Sequence, residues 1–424
     1  MKLRPTLVAM MALSVLSDTI LIPFYPLFFA QRYGETSALH AGLYVAAISL
    51  VVMMTLPLWA RLARRIDSMH LLVWTQLAAG VLSLMSYAAP SLPVFWLLSL
   101  SMFMCKSSYL LMYPYLMKLE PAASRAGTIG LLSVAAHLSA IFGAVLGGWI
   151  MQAGGGSANV VAMALLDFIQ AVICIRLIGT HRIARRTTMT GEGSDISDGG
   201  TKDSTAGGIA GTSSGTPAGK PAGRYVRLAA RLPIFRLFFL MLVFDLSVYL
   251  ARPFFSVYWQ HTGISSSDAL AGLVFAIPGI IAIAALWANR RAALRGRPAF
   301  DQLVPNLLLA ATGLLLQASD STLWIVIGRG LFGWGLFQIT VRLDVMLFRL
   351  SSPDAFAADH SLAYFFQNLG VLIASFAAGL IVEHQGLEAP FLFAAAGVIA
   401  TSLFVVAWRT PSDTSDLRSH ANAN

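Results

Sequence analysis

Charge is scarce in this sequence: Asp, Glu, Lys and Arg make up 12% of its 424 residues, about half the share usual in soluble domains. Cysteine is scarcer still. Cys105 and Cys174 are the only two, and both lie inside apolar runs with no disulfide, zinc or redox spacing between them. Phosphate-cradling glycine loops, metal signatures and nucleophile-base spacings are also missing. These absences argue against an enzyme and imply neither cofactor nor metal. Polar low-complexity sequence is confined to one stretch, about 179 to 231, in which residues 190–223 are almost wholly small or polar. With so few large apolar side chains it cannot repay the entropy of ordering, and it reads as a flexible linker.

What remains is oily, with 57% hydrophobic residues and a mean hydropathy of +0.71. The chain is therefore an integral membrane protein whose largest partner is the lipid bilayer. A net charge of +9 suggests nucleic acid in a soluble protein. Here the cations sit in short loops between apolar runs, so they report topology, and no nucleic-acid binding is expected.

A span needs roughly 20 mostly apolar residues. Six runs precede the linker, at 6–29, 39–59, 71–89, 94–116, 126–151 and 160–178, and six follow it, at 234–259, 270–287, 303–318, 323–347, 362–382 and 391–408. Lys2 and Arg4 before the first run imitate a signal peptide, but the apolar character continues to Phe29 without a small-residue cleavage site. The basic loops, with Arg61, Arg64, Arg65, Lys118, Arg125, Arg290, Arg291, Arg295, Arg297 and Arg349, alternate with loops holding only Arg32. Lys and Arg gather on the cytoplasmic side, so both termini and the linker are placed there. The expected layout is a bundle over 1–180, a linker over 181–232, a second bundle over 233–410 and a tail over 411–424.

The two halves look like one unit written twice. At offsets of 230 to 232 residues, Pro23-Phe24-Tyr25 returns as Pro253-Phe254-Phe255, and Ala41-Gly42-Leu43 as Ala271-Gly272-Leu273. Met117-Lys118-Leu119 likewise returns as Phe348-Arg349-Leu350, and the Gly143–Gly147 segment as Ser375–Gly379. Internal repeats of this kind are a habit of secondary transporters.

With twelve spans, six plus six, a central linker and a basic loop after each second span, the chain resembles the major facilitator superfamily along nearly its whole length. The family's loop after the second helix reads Gly-x-x-x-Asp-Arg-x-Gly-Arg-Arg. The matching stretch, Pro57 to Ile66, keeps Arg61, Arg64 and Arg65 but lacks both glycines and the Asp. Its second-half counterpart has Asn289 where the Asp would be, followed by Arg290 and Arg291. Late in the fifth run, Gly143-Ala144-Val-Leu-Gly147-Gly148 resembles the Gly-Pro-x-x-Gly-Gly signature of the family's proton-driven exporters, with Ala in place of Pro. Glycines at this spacing strip side chains from a helix face. The fifth helix is therefore expected to press on a partner in the other half, against plain helix packing as the bland alternative. The resemblance implies an all-α membrane protein of two pseudo-symmetric six-helix bundles, and gating roles for Gly143, Gly147, Gly148, Arg64, Arg65, Arg290 and Arg291.

An ionisable group at mid-span costs roughly 2.5 to 3.5 kcal/mol on insertion scales. In the resembled family, helices 1, 4, 7 and 10 line the central cavity, and here those runs hold Asp18, Lys106, Asp245 with Arg252, and Arg329. Helical spacing places Asp245, Tyr249 and Arg252 on one face, and Lys106, Tyr109 and Tyr113 on another. Burial favours the proton-bearing form of a carboxylate, so Asp18 and Asp245 are candidate proton carriers. Lys106, Tyr109, Tyr113, Tyr249, Arg252 and Arg329 are candidate substrate contacts, the cations suiting an anion. The structural alternative is two internal pairs, Asp18 with Lys106 and Asp245 with Arg252.

His137 reads as a proton or substrate contact or, more simply, a packing residue, and Asp167 on the sixth run as facing the first helix or lying near the interface. Gln367 and Asn368 read as interhelical hydrogen-bonding residues, with substrate contact as the alternative, and Glu383 and His384 as solvated. The expected function is proton-coupled export of a small organic molecule by a monomer in the bacterial inner membrane, with an anionic or siderophore-like compound preferred. The alternatives are a lipophilic multidrug exporter, an uptake symporter and, remotely, a non-transporting sensor.

Overall fold

The computed structural model describes residues 3–63, 65–119, 125–181, 224–262, 267–296, 300, 302–351 and 356–408. Most of the expected linker and all of the expected tail lie outside these residues, as does Arg64. Among the described residues ten helices are long and apolar enough to span a bilayer, and the apolar helix Leu303–Gln317 falls just short of that length. One of the ten, Leu138–Thr180, is two spans joined end to end, which brings the number to the expected twelve.

That joined pair lies in a helical stretch, Arg125–His181, whose backbone turns at Gly155 with φ 71°, a conformation open to glycine at little cost. The contacts show the reversal. Thr128 bonds Arg4, Gly143 abuts Leu16, Gly147 abuts Ile20 and Gly156 abuts Phe28, so the chain first climbs alongside the opening helix. It then descends, with Asp167 reaching Ser17 and Gln170 reaching Ser14. We name the two arms α5 (125–154) and α6 (156–181). The sequence led us to expect a longer connection between them.

The first half is completed by α1, Leu3–Tyr33, α2, Ala38–Leu62, α3, Ser68–Tyr87, and α4, which runs from Leu92–Lys106 through a 3-10 segment, Ser107–Leu111, into Met112–Leu119. The second half has α7, Arg224–Leu250 continued by Phe255–His261, then α8, Asp268–Leu294, α9, Leu303–Gln317, α10, Thr322–Leu350, α11, Phe356–Gln385, and α12, Ala389–Trp408. α7 opens inside the expected linker.

α1 and α7 break at equivalent points. α1 is interrupted at 20–24, where Pro23 sits in a short 3-10 turn, and α7 at 251–254, where Pro253 stands. Proline removes a backbone donor and cannot continue a helix unperturbed. The two breaks meet, since Ser256 Oγ donates to the Pro23 carbonyl.

The outer surface is apolar, with Met54 67%, Trp74 67% and Trp149 66% exposed. A surface like this is a liability in water and the ordinary dress of a helix in lipid.

With an even number of spans the termini share one end of the bundle, here called the terminal end. At the opposite, far end the halves are held together by two matching clamps. In the first, the Ser37 hydroxyl, which caps α2, and the Leu39 amide both donate to Glu383 of α11, at 3.4 and 3.3 Å. One turn on, a Cβ on Gly42 would stand 2.5 Å from the Ser375 carbonyl oxygen and 2.9 Å from Gly379 Cα. In the second, Ser267 caps α8, and its hydroxyl and the Ala269 amide donate to Gln152 of α5, at 2.9 and 3.3 Å. A Cβ on Gly272 would stand 2.5 Å from the Ala144 carbonyl oxygen and 3.3 Å from Gly148 Cα.

These clamps extend one expectation and correct another. Glu383 is exposed, as expected, and is a clamp residue besides. The true equivalents of Ser375 and Gly379 are Ala144 and Gly148, one residue on from the register read in sequence. Gly143 and Gly147 occupy the neighbouring face of α5 and pack on α1 of their own half. The face carrying Ile141, Ala144, Gly148 and Gln152 reaches across.

Candidate functional site

Lys106 is 1% exposed at the end of the first segment of α4. Its Nζ lies 3.0 Å from Asp18 Oδ1, 3.4 Å from Asp167 Oδ1 and 2.7 Å from Ser17 Oγ. An ammonium has three donors, and all three are engaged. Of the two readings, substrate contact and internal pair with Asp18, the geometry displays the pair: Lys106 ties α1, α4 and α6 together. Asp167 was not ranked from sequence, yet it is wholly buried. Asp18 keeps a side-chain exposure of 21% and is the carboxylate of the cluster that water reaches.

The 3-10 segment after Lys106 is stabilised from both sides. Ser107 bonds Thr55 at 2.9 Å and Ser108 bonds Thr75 at 2.6 Å, while Trp59 Nε1 donates to the Met104 carbonyl at 2.8 Å. Such tightening changes the angular step per residue. The shared face expected for Lys106, Tyr109 and Tyr113 is therefore split. Lys106 points into its own half, Tyr109 sits against Asp18 within electrostatic reach of Tyr249 and Tyr364, and Tyr113 stacks on His360 of α11 with ring centres 4.8 Å apart.

Between the halves a cavity of about 220 Å³ opens, walled by α5 of the first and by α7, α8 and α10 of the second, and lined by Ala140, Asp245, Tyr249, Arg252, Phe275, Arg329 and Phe332 among others. The walls expected from the resemblance were α1, α4, α7 and α10. Of these, α7 and α10 line this cavity, and α5 and α8 complete it.

Asp245 faces Gln367, and its Oδ2 is buried without a hydrogen-bond partner. Arg252 lies over the Tyr249 ring at 4.6 Å, and among the described residues no carboxylate stands within ion-pair distance of it. Of the two expected internal pairs, then, Asp18 with Lys106 is present, while Asp245 and Arg252 stand apart.

Arg329, 5% exposed, is committed elsewhere. Its Nε donates to the Val274 carbonyl at 3.3 Å, one terminal nitrogen to the Phe275 carbonyl and the other to Gln317 at 3.4 Å. Pro278, four residues after Val274, has no N–H to close the helical bond, so the guanidinium satisfies a carbonyl that α8 leaves open. Phe255 and Phe275 cover it at 4.2 and 5.2 Å. Its charge reaches the cavity, but its donors are largely spent.

Sequence reasoning missed Asp344. It continues the cavity face of α10 one turn beyond Thr340, in the helical series 329, 333, 336, 340, 344, and is solvent-exposed. Its charge reaches Asp245 and Tyr113. The signal was available as helical spacing from Arg329.

The candidate gate arginines Arg65, Arg290 and Arg291 are exposed at the terminal end, with Arg291 over the Trp287 ring at 5.0 Å. Asn289, standing where the family has Asp, bonds Gln338 of α10 at 2.8 Å.

Two joined six-helix halves, clamped at one end around buried charge, define a secondary-transporter fold. The Major Facilitator Superfamily model matches residues 7–300, and the chain belongs to that family. No curated protein matches it in sequence. Among solved structures, a point variant of the nucleoside transporter NupG superposes with a TM-score of 0.67 at 11% identity, over 96% of this chain and 100% of that one. A bacterial homologue of the human lysosomal transporter Spinster, inward-facing and unoccupied, superposes with a TM-score of 0.64 at 12% identity, over 95% and 94%. At such identities the likeness is one of fold. The chain is a transporter of the membrane-embedded kind, not an enzyme.

Proposed function

We propose that this protein is a proton-coupled exporter of a small organic molecule, acting as a monomer in a bacterial inner membrane with both termini in the cytoplasm. The observation that carries the proposal is the charge balance of the enclosed cluster. Two carboxylates, Asp18 and Asp167, share one ammonium, Lys106, at 3.0 and 3.4 Å, so the cluster is neutral only with a proton aboard. Water reaches it through Asp18, the proton's door. Asp245, buried and unpartnered at Oδ2, is a second carrier inside the cavity.

Orientation is supported by exposed Arg61, Arg65, Arg290, Arg291 and Arg295 at the terminal end, against Arg32 at the far end. Substrate preference rests on Arg252, which has no carboxylate within ion-pair distance among the described residues and has the charge of Arg329 behind it, and this favours a carboxylate-bearing compound. At about 220 Å³ the cavity is below the roughly 300–1,000 Å³ of drug-sized sites, which suits a compact metabolite better than a bulky siderophore.

The test is movement of labelled organic acids in proteoliposomes under a pH gradient imposed in either direction. The parent should accumulate label only when protons run the opposite way. Asp18→Asn and Asp245→Asn should keep exchange and lose accumulation. Accumulation by both variants would remove these coupling residues, and label travelling with protons would make the protein a symporter.

A further inference from the structure

The cavity between α5, α7, α8 and α10 is electrically polar along its length. Toward the far end stand Arg252 and Arg329, close enough to repel each other, with no carboxylate within ion-pair distance among the described residues. Two turns toward the terminal end, roughly 10 Å along α7, stands Asp245, and beyond it Asp344. Between the poles the wall is apolar and aromatic, with Tyr249, Phe275 and Phe332.

A buried carboxylate oxygen without a partner and a guanidinium without a counter-ion, on one helix face but apart, are costly on their own. Their separation leaves room for something between them that satisfies both. We propose that the cavity is built for a zwitterion: a compact molecule with an anionic group at Arg252, a protonated amine at Asp245 and an apolar, preferably aromatic, body between. The location of the site rests on the transport reading above, and what is added is the second, cationic group.

A plain carboxylate would pair Arg252 and leave Asp245 unmatched, whereas a plain amine would meet Asp245 and face two guanidiniums. The zwitterion satisfies both poles and adds no net charge to the cavity. It also supplies a coupling rule, because Asp245 holds either the amine or a proton, so the two exclude each other.

The probes are a matched trio of one shape: para-aminomethylbenzoate with both charges, para-methylbenzoate with the anion alone and para-methylbenzylamine with the cation alone. Binding to the purified full chain in detergent is read by calorimetry near neutral pH. The zwitterion should bind about tenfold or more tighter than either partner, as expected when one charge-assisted contact is lost. Asp245→Asn should abolish the advantage of the zwitterion over para-methylbenzoate, and Arg252→Gln its advantage over para-methylbenzylamine.

Equal binding of the zwitterion and the plain carboxylate would mean that Asp245 is satisfied by a proton alone, and would overturn the proposal. So would the absence of zwitterion binding to a parent protein that melts cooperatively. Failure of the transport reading looks different: the zwitterion binds as described, yet no gradient moves it in proteoliposomes.

Discussion

Gln152 and Glu383 hold equivalent stations in the two halves, each accepting from the serine that caps the facing helix and from the amide two residues further on. The fold repeats its clamp, but one copy is neutral and the other ionisable. A carboxylate at a helix N-terminus interacts with the helix dipole as well as with the donors, so the Glu383 clamp is the stronger of the two and more exposed to salt screening. Replacing Glu383 by Ala should loosen the far end more than Gln152→Ala does. With Ala140→Cys as the reporter and Cys105 and Cys174 changed to Ser, labelling by an impermeant maleimide from the far side should rise by about two- to tenfold. An equal rise for both variants would mean that the charge contributes nothing.

Glycine at the crossing points makes a sharper prediction. A Cβ on Gly272 would come within 2.5 Å of the Ala144 carbonyl oxygen, a backbone atom that cannot rotate away. Overpacking costs about 1–3 kcal/mol, which shifts a two-state equilibrium by roughly 5- to 150-fold. Gly272→Val should therefore reach the membrane in normal amounts, hold the far end open to the same maleimide and transport poorly. Gly147→Leu strikes α1 within its own half and should instead lower thermal stability without opening the far end.

The overall fold was legible because lipid demands length: the twelve runs announce themselves by how long they stay apolar, and the repeat by its offset. Much less of the site could be read. Asp167 lies on a helix that sequence alone assigns to no cavity wall, and its meaning depends on α6 packing against α1 across 150 residues of chain. The 3-10 turn at Ser107–Leu111 defeated the face arithmetic of α4, because it follows from hydroxyls on α2 and α3 and not from any local breaker. Arg329 looked like a free cation because the carbonyl it serves is left open by a proline on another helix. Asp344, by contrast, was within reach of simple spacing.

The Lys106 cluster can be tested by charge count. Removing the ammonium leaves two carboxylates facing each other in the protein interior, a loss of the kind that costs about 3–5 kcal/mol. Lys106→Met should lower the melting temperature strongly or abolish folding. Adding Asp167→Asn removes the enclosed acid and leaves Asp18 alone at the wetter edge, so Lys106→Met with Asp167→Asn should recover much of the loss. Thermal unfolding in detergent reads the cycle, and a double variant no more stable than Lys106→Met would mean that Asp167 is not the partner.

Arg329 and Pro278 should behave as a coupled pair. Proline frees the Val274 carbonyl, and arginine occupies it with Nε while a terminal nitrogen takes the neighbouring carbonyl of Phe275. Lysine has the charge but not the fork, so Arg329→Lys should leave one of the two carbonyls unmet and cost about 1–3 kcal/mol, the usual penalty for a buried unsatisfied group. Pro278→Ala returns an N–H to α8 and gives Val274 a partner of its own. In that background Arg329→Lys should cost less, by a coupling of about 0.5–3 kcal/mol as found for residues that share a network. Strict additivity in thermal unfolding would show that the arginine is held by something other than the open carbonyl, and would return its donors to the cavity as substrate contacts.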